Sequence, residues 1–188
     1  MRRLRRVMPR TRSPVIKISV SELLGHLLGE SYAPKEIAEE NRLIHHKLGL
    51  TEDQEYSIVL GGLESYDYQK PMEDKPIPPQ ASKPLCLVFR PDAVRNGIVY
   101  ELKVLRRYSD KEKLLLWGFL QIQLELYALG LERGKLLLYK LDDGVVEELD
   151  VEANPLIAEE VLAFYQDMLE ARRRLQERLL DESGIVKH

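Results

Sequence analysis

The stretch Leu85-Cys-Leu-Val-Phe-Arg-Pro-Asp-Ala-Val-Arg-Asn-Gly-Ile-Val-Tyr-Glu-Leu-Lys-Val-Leu105 decides the fold. Two β-type runs, 85–94 and 98–105, flank Asn96-Gly97, a strong hairpin signal, because a type I′ turn needs positive φ at both central residues. A two-residue loop also fixes the register. Arg95 is expected opposite Ile98, Val94 opposite Val99, Ala93 opposite Tyr100 and Asp92 opposite Glu101. Side chains alternate along a strand, so Lys103 shares the face of Glu101, with Arg90 opposite it. Leu87, Phe89, Ala93, Ile98, Tyr100, Leu102 and Val104 mark an apolar face. Two carboxylates opposite one another repel. Either Lys103 and Arg90 offset them in a structural ion cluster, or a divalent cation that favours oxygen, Mg²⁺ or Mn²⁺, does so.

The surrounding chain alternates helices and strands. Ser19 and Glu22 have capping-box spacing before Leu23, Leu24, Leu27 and Leu28, and Gly29 stops that helix. Pro34 suits the first turn of a second helix, which Gly49 ends. Tyr56–Leu60 reads as a short strand. Residues 71–84 hold five of the ten prolines and read as a long loop. Ser109 and Glu112 open a third helix running to Leu129. Residues 134–141 and 145–149 read as strands about an Asp142-Asp143-Gly144 turn. A long helix over 155–181 closes the chain, with apolar positions Leu156, Val161, Phe164, Met168, Leu175 and Leu179 expected to pack on the domain. The order implies an α/β domain, a mixed sheet flanked by helices.

Of 188 residues, 44% are hydrophobic and 31% charged, which excludes a disordered chain and implies a densely charged surface. The net charge of −3 is no global nucleic-acid signature, so any such binding needs local basic patches. The single cysteine, Cys86, excludes an intramolecular disulfide and a four-cysteine cluster. No stretch approaches the roughly 20 apolar residues of a membrane helix. Residues 1–17, with arginines at 2, 3, 5, 6, 10 and 12, read as a basic N-terminal arm, and 18–188 as one domain. The arm lacks a signal peptide's apolar run, so a cytoplasmic (intracellular) protein is expected.

Pro91-Asp92 followed by Glu101-Leu102-Lys103 on a hairpin resembles the PD-(D/E)XK nuclease motif. Gln123-Leu-Glu-Leu-Tyr127 on the next helix resembles the Gln-x-x-x-Tyr motif of one branch, the RecB-type exonucleases with their CRISPR-associated relatives. His45, in Asn41-Arg-Leu-Ile-His45-His46, resembles that branch's helical metal ligand, with Asn41 where the family has glycine and His46 as the adjacent alternative. The resemblance spans roughly residues 18–141. It departs from many CRISPR-associated members in the iron–sulfur cysteines, so no such cluster is expected.

The resemblance implies a restriction-endonuclease-like α/β fold and a metal-dependent DNA nuclease, an exonuclease acting on single strands or ends. It implies that Asp92, Glu101, the Leu102 carbonyl and His45 hold Mg²⁺ or Mn²⁺. Lys103 would act on the attacking water, and Gln123 and Tyr127 would position the strand. Arg90, Arg106 and Arg107 are candidates for phosphate contact. The competing readings are a catalytically weak or inactive nuclease-fold DNA-binding protein, a junction endonuclease, and a helical interaction protein. The expected partner is DNA and not a membrane, with room for a second copy or for a nuclease or helicase partner.

Overall fold

Asn96 and Gly97 carry φ of +51° and +76°, the left-handed pair that a type I′ turn requires. The register across the turn is the expected one: Arg95 pairs with Ile98, Val94 with Val99 and Ala93 with Tyr100. The computed structural model describes residues 16–29, 35–50, 56–60 and 85–183. Residues 1–15 of the expected arm and the proline-rich stretch 71–84 lie outside them. The elements are β1 (Ile16–Ser19), α1 (Val20–Leu28), α2 (Lys35–Lys47), β2 (Tyr56–Leu60), β3 (Leu85–Phe89), β4 (Ala93–Arg95), β5 (Ile98–Leu105), α3 (Lys111–Leu129), β6 (Arg133–Lys140), β7 (Val146–Glu152) and α4 (Pro155–Ser183). Ile16 and Lys17, assigned to the arm from sequence, belong to β1.

The strands form two ladders. One sheet has the order β1-β3-β2, the other β4-β5-β6-β7. The expected single strand over 85–94 is therefore two strands. Pro91 explains the break, because a residue without an N–H cannot continue an interior ladder. The chain leaves the first sheet after Phe89 and joins the second at Ala93. Arg90 consequently never comes opposite Lys103, and Asp92 is not in the ladder. β5 and β6 run parallel, pairing Glu101 with Leu136 and Lys103 with Leu138. A parallel pair needs a crossover, and α3 is that crossover.

Helices cover both faces of the second sheet. On one, Val99, Leu136 and Val151 meet Ile122 and Leu126 of α3. On the other, Leu102, Val104, Leu137 and Tyr139 meet Ile44 of α2. The expectation of one apolar and one charged hairpin face is thus corrected: Glu101 and Lys103 lie under α3, not in solvent. Gly118 allows the close approach. A Cβ there would collide with the Leu136 side chain and press on Lys103 Cγ at 3.2 Å.

The caps follow the sequence with one change. Ser19 caps α1, its hydroxyl accepting from Glu22 N–H at 3.1 Å, and Gly29 ends the helix at φ +68°. Asp110, not Ser109, caps α3, accepting from Lys113 N–H. Ser109 Oγ instead accepts from Arg106 N–H in the turn before. In α4, Ala158, Val161, Leu162 and Tyr165 pack against α1 and α3, with Met168 half-buried beside them. Leu156, Phe164, Leu175 and Leu179 stay exposed, so of the six expected positions only Val161 and Met168 pack on the domain. The whole is a mixed α/β architecture with a long C-terminal helix, of the restriction-endonuclease-like kind.

Candidate active site

Beyond Ala93 the β4–β5 ladder ends, and the next amides of β5 need other partners. Leu102 N–H finds the Asp92 carboxylate, donating to Oδ2 at 2.6 Å. That bond pins Asp92 beside β5, one residue along from its expected partner Glu101. Asp92 Oδ1 meets His45 Nε2 at 2.9 Å. The other ring nitrogen, Nδ1, lies 2.6 Å from the Asn41 carbonyl one turn back on α2. Both nitrogens face acceptors, so both carry protons in this arrangement. Burial pulls the His45 pKa down, but the hydrogen bond and charge of Asp92 and the Asn41 carbonyl outweigh it, and the net shift is upward.

α2 is itself held by an arginine. Arg106 is buried and donates to Glu40 Oε2 and to Asn41 Oδ1, the latter at 2.7 Å. This corrects the expectation that Arg106 contacts phosphate: its guanidinium is enclosed and spent on fixing the helix that carries His45. Arg107 is exposed and pairs with Asp142 at 3.2 Å. Arg90 is exposed and lines a cleft described below. His46 is exposed on α2.

Glu101 is 3% exposed. Its Oε1 accepts from Lys103 Nζ at 2.6 Å, while Oε2 is buried with no partner. Burial, then the charge of Asp92, pushes its carboxyl up to about 7. Lys103 Nζ also donates to Gln121 Oε1 at 2.9 Å. Burial lowers the Lys103 pKa, but the charges of Glu101 and Asp92 overcome it, and the ammonium is held above its usual range.

Gln121 in turn donates through Nε2 to Glu125 Oε1 at 3.3 Å. Glu125 is 0% exposed, and its Oε2 also lacks a partner. Burial, then the charge of Glu101, raises its pKa well above the usual carboxylate range. Gln121 and Glu125 line a cleft of about 250 Å³ with Arg90, Ser19 and Ser21.

The structure therefore brings together His45, Asp92, Glu101, Leu102 and Lys103, from α2, the β3–β4 link and β5. It does not bring Gln123 and Tyr127 to them. Gln123 Nε2 donates to the Glu152 carbonyl at 2.8 Å, and its Oε1 accepts from Asn154 N–H at 2.7 Å. Both amide ends are thus spent on the β7–α4 link. Tyr127 packs half-buried against the core and lines, with Gln123, a separate small cleft. The helical pair reaching Lys103 is Gln121 and Glu125, which sequence reasoning missed. α3 is apolar on most sides and buried almost all round, so its periodicity does not say which face meets β5. The usable signal was Gly118, a helix-interior glycine at the close approach, with Gln121 and Glu125 three and seven residues on along the same face.

Among the described residues, no three His, Cys, Asp or Glu side chains are arranged to hold a metal ion as they stand. The reason is local: Asp92 already takes Leu102 N–H and His45, and Glu101 Oε1 takes Lys103. The donor set nonetheless suits a hard divalent cation, with carboxylate oxygens and one imidazole. The unpartnered, buried Glu101 Oε2 is an acceptor that a cation would satisfy. His45 Nδ1 is occupied by the Asn41 carbonyl, which leaves Nε2 as the ligand atom.

No family model matches the chain, and no curated protein is similar to it. Among solved structures, it is similar to SSO0001, with a TM-score of 0.55 and 20% identity over 85% of this chain and 79% of that one. That likeness is one of fold. It is looser to an alkaline exonuclease, LHK-Exo, from Laribacter hongkongensis, with a TM-score of 0.47 and 14% identity over 91% of this chain and 95% of that one. The complex of LHK-Exo with dAMP gives a TM-score of 0.48 and 11% identity over 89% and 85% of the two chains.

Proposed function

We propose that this protein is a metal-dependent deoxyribonuclease of the RecB-like branch, with its CRISPR-associated relatives, cutting single strands or DNA ends inside the cell. One observation carries the reading: His45, Asp92, Glu101 and Lys103 converge from three chain segments, with a buried carboxylate oxygen of Glu101 left unpaired. A structural ion cluster has no use for that oxygen, because an unmet buried acceptor is destabilising.

Asp92, Glu101, His45 and the Leu102 carbonyl would hold Mg²⁺ or Mn²⁺. Such an ion supplies positive charge at the phosphate and makes water a better nucleophile near neutral pH. The protein's own groups do the rest. Lys103 orients the attacking water and stabilises charge gathering on the phosphate oxygens. Gln121 holds the Lys103 ammonium between itself and Glu101. The water oxygen bonds to phosphorus, the ester P–O bond breaks, and the departing sugar oxygen takes a proton. Arg90, beside the cleft, is placed to meet a phosphate. Arg107 stands on an outer turn and would contribute less, being paired with Asp142.

The test is hydrolysis of labelled single- and double-stranded DNA, and of RNA, with Mg²⁺, Mn²⁺ or EDTA. Wild type should cut DNA with either metal and not with EDTA. Lys103→Ala, and Asp92→Ala with Glu101→Ala, should be inert. Activity that survives the double change would put the chemistry elsewhere.

A second reading has an observation of its own. The carboxylates are already engaged by protein donors, as in a catalytically silent nuclease fold that binds DNA. Melting with and without Mn²⁺ separates the two, since a ligand bound only by the native state raises stability. DNA binding with no Mn²⁺ shift would favour the silent protein.

A further inference from the structure

We propose that Glu125 is a positioning residue that fixes the polarity of the Gln121 amide and through it the Lys103 ammonium, an inference that rests on the nuclease reading above. Glu125 sits two turns along α3 from Gly118, fully enclosed, among Leu124, Leu126 and Ala128, which are buried and apolar. Nothing in that packing needs a carboxylate. One of its oxygens is unpaired and the other has a single partner, Gln121. A charge-bearing group buried on such terms is expensive, and such groups concentrate at functional sites.

What it does follows from the shape of an amide. The oxygen and nitrogen ends of glutamine are nearly identical in size, so their partners decide which way the group points. Lys103 Nζ can only donate. It therefore needs the oxygen of Gln121, which it finds at 2.9 Å. Glu125 supplies the complementary condition. It presents an acceptor oxygen to the far end of the amide, which must then carry the NH₂. Without that acceptor the amide is free to turn, and its NH₂ would face an ammonium. The chain Glu101–Lys103–Gln121–Glu125 is thus a directional one. Its far end reaches the wall of the cleft shared with Arg90. A carboxylate is not required for this, because a neutral amide at 125 also offers an acceptor.

The experiment is steady-state cleavage of single-stranded DNA with Mn²⁺, alongside thermal melting. Glu125→Met should lower kcat by about tenfold or more with KM nearly unchanged, since a displaced catalytic group costs at least this much. Glu125→Gln should keep kcat within about threefold of wild type, because it restores the acceptor at constant volume. Gln121→Leu should lose as much as Glu125→Met, and the double variant no more than either, because the two act as one unit. If Glu125→Met does not fold, Glu125→Gln against Gln121→Leu carries the same contrast. Wild-type kcat in Glu125→Met, equal losses in Glu125→Gln and Glu125→Met, or additive losses in the double variant would overturn the inference alone. A wild type inert toward DNA with both metals would overturn the nuclease reading, and this inference with it.

Discussion

Two glutamines stand two residues apart on α3 and have opposite surroundings. Gln123 is saturated: its NH₂ goes to the Glu152 carbonyl and its oxygen to Asn154 N–H. Gln121 is suspended between Lys103 and a carboxylate that is itself half unpaired. The first ties the end of β7 and the start of α4 to the helix. The second reaches the candidate site. Burial does not separate them, since both are nearly enclosed. Nor does completeness of hydrogen bonding, since both ends of each amide are bonded; their partners do. A glutamine that ties backbone to backbone holds the fold together, whereas one that links ionisable side chains beside buried, unpaired carboxylate oxygens belongs to a site.

The contrast is open to a direct test, and it carries the largest expected effects. Gln123→Leu leaves a backbone carbonyl and a backbone N–H without partners, each costing about 1–3 kcal/mol. Denaturant unfolding should show a loss of about 2–6 kcal/mol, while the kcat of the surviving folded protein stays near wild type. Gln121→Leu should lower kcat beyond whatever stability it loses by leaving Glu125 without its partner. If Gln123→Leu abolishes activity in protein that remains fully folded, the two faces have been assigned the wrong way round.

Gly118 sharpens the same comparison, because it lets the Gln121 face approach β5. Gly118→Ala puts a methyl against Leu136 and Lys103, and overpacking of this kind costs about 1–3 kcal/mol. Activity should fall further than the stability loss explains, as the added methyl pushes on the Lys103 stem. A variant as active as wild type would show that α3 can retreat without disturbing Lys103.

A more gradual effect concerns pH. In the absence of divalent cations Glu101 holds its proton to about 7 in the fold, against 4.5 in the unfolded chain. Across that window the unfolded chain binds fewer protons, so stability falls as pH rises. His45 acts with the same sign, its folded pKa being raised above 6.5, so its contribution is lost as pH climbs through that raised value. Melting temperature in EDTA should therefore decline from pH 4.5 towards neutrality, and Glu101→Gln should flatten the decline. A curve that rises over this range would remove Glu101 as the buried, proton-holding group.

Much of the fold was legible because it rested on local chemistry. Asn96-Gly97 dictated the turn and register, and Ser19 and Gly29 bounded α1. The strand break at Pro91 was missed even though the proline was in view, because the run on either side of it is uniformly β-type. Glu101 and Lys103 were legible as neighbours through period-2 alternation, whereas His45 came from the family resemblance and Asp92 reaches them through Leu102 N–H rather than through the expected ladder. The role of Arg106 was not legible, because its partners Glu40 and Asn41 lie 65 or more residues away. Nor was the orientation of α3. A helix buried nearly all round carries no amphipathic signal, so nothing in the pattern pointed to Gln121-x-x-x-Glu125 beside Gln123-x-x-x-Tyr127.

Tyr127 is where the comparison predicts the least. It lies one turn beyond Gln123 on the same face, half-buried against the core formed with α1 and α4. Its ring contributes by packing, and no hydrogen bond of its hydroxyl is formed among the described residues. Tyr127→Phe keeps the ring and removes only that hydroxyl, so stability should change by no more than about 0.5 kcal/mol and cleavage not at all. Tyr127→Ala, by contrast, should cost stability through the lost packing and leave kcat intact. A strong activity loss in Tyr127→Phe with unchanged melting would mean that the hydroxyl meets the DNA or the reacting groups. The Gln123–Tyr127 face would then be a second working surface of α3, and the kind of partner would no longer separate its two glutamines.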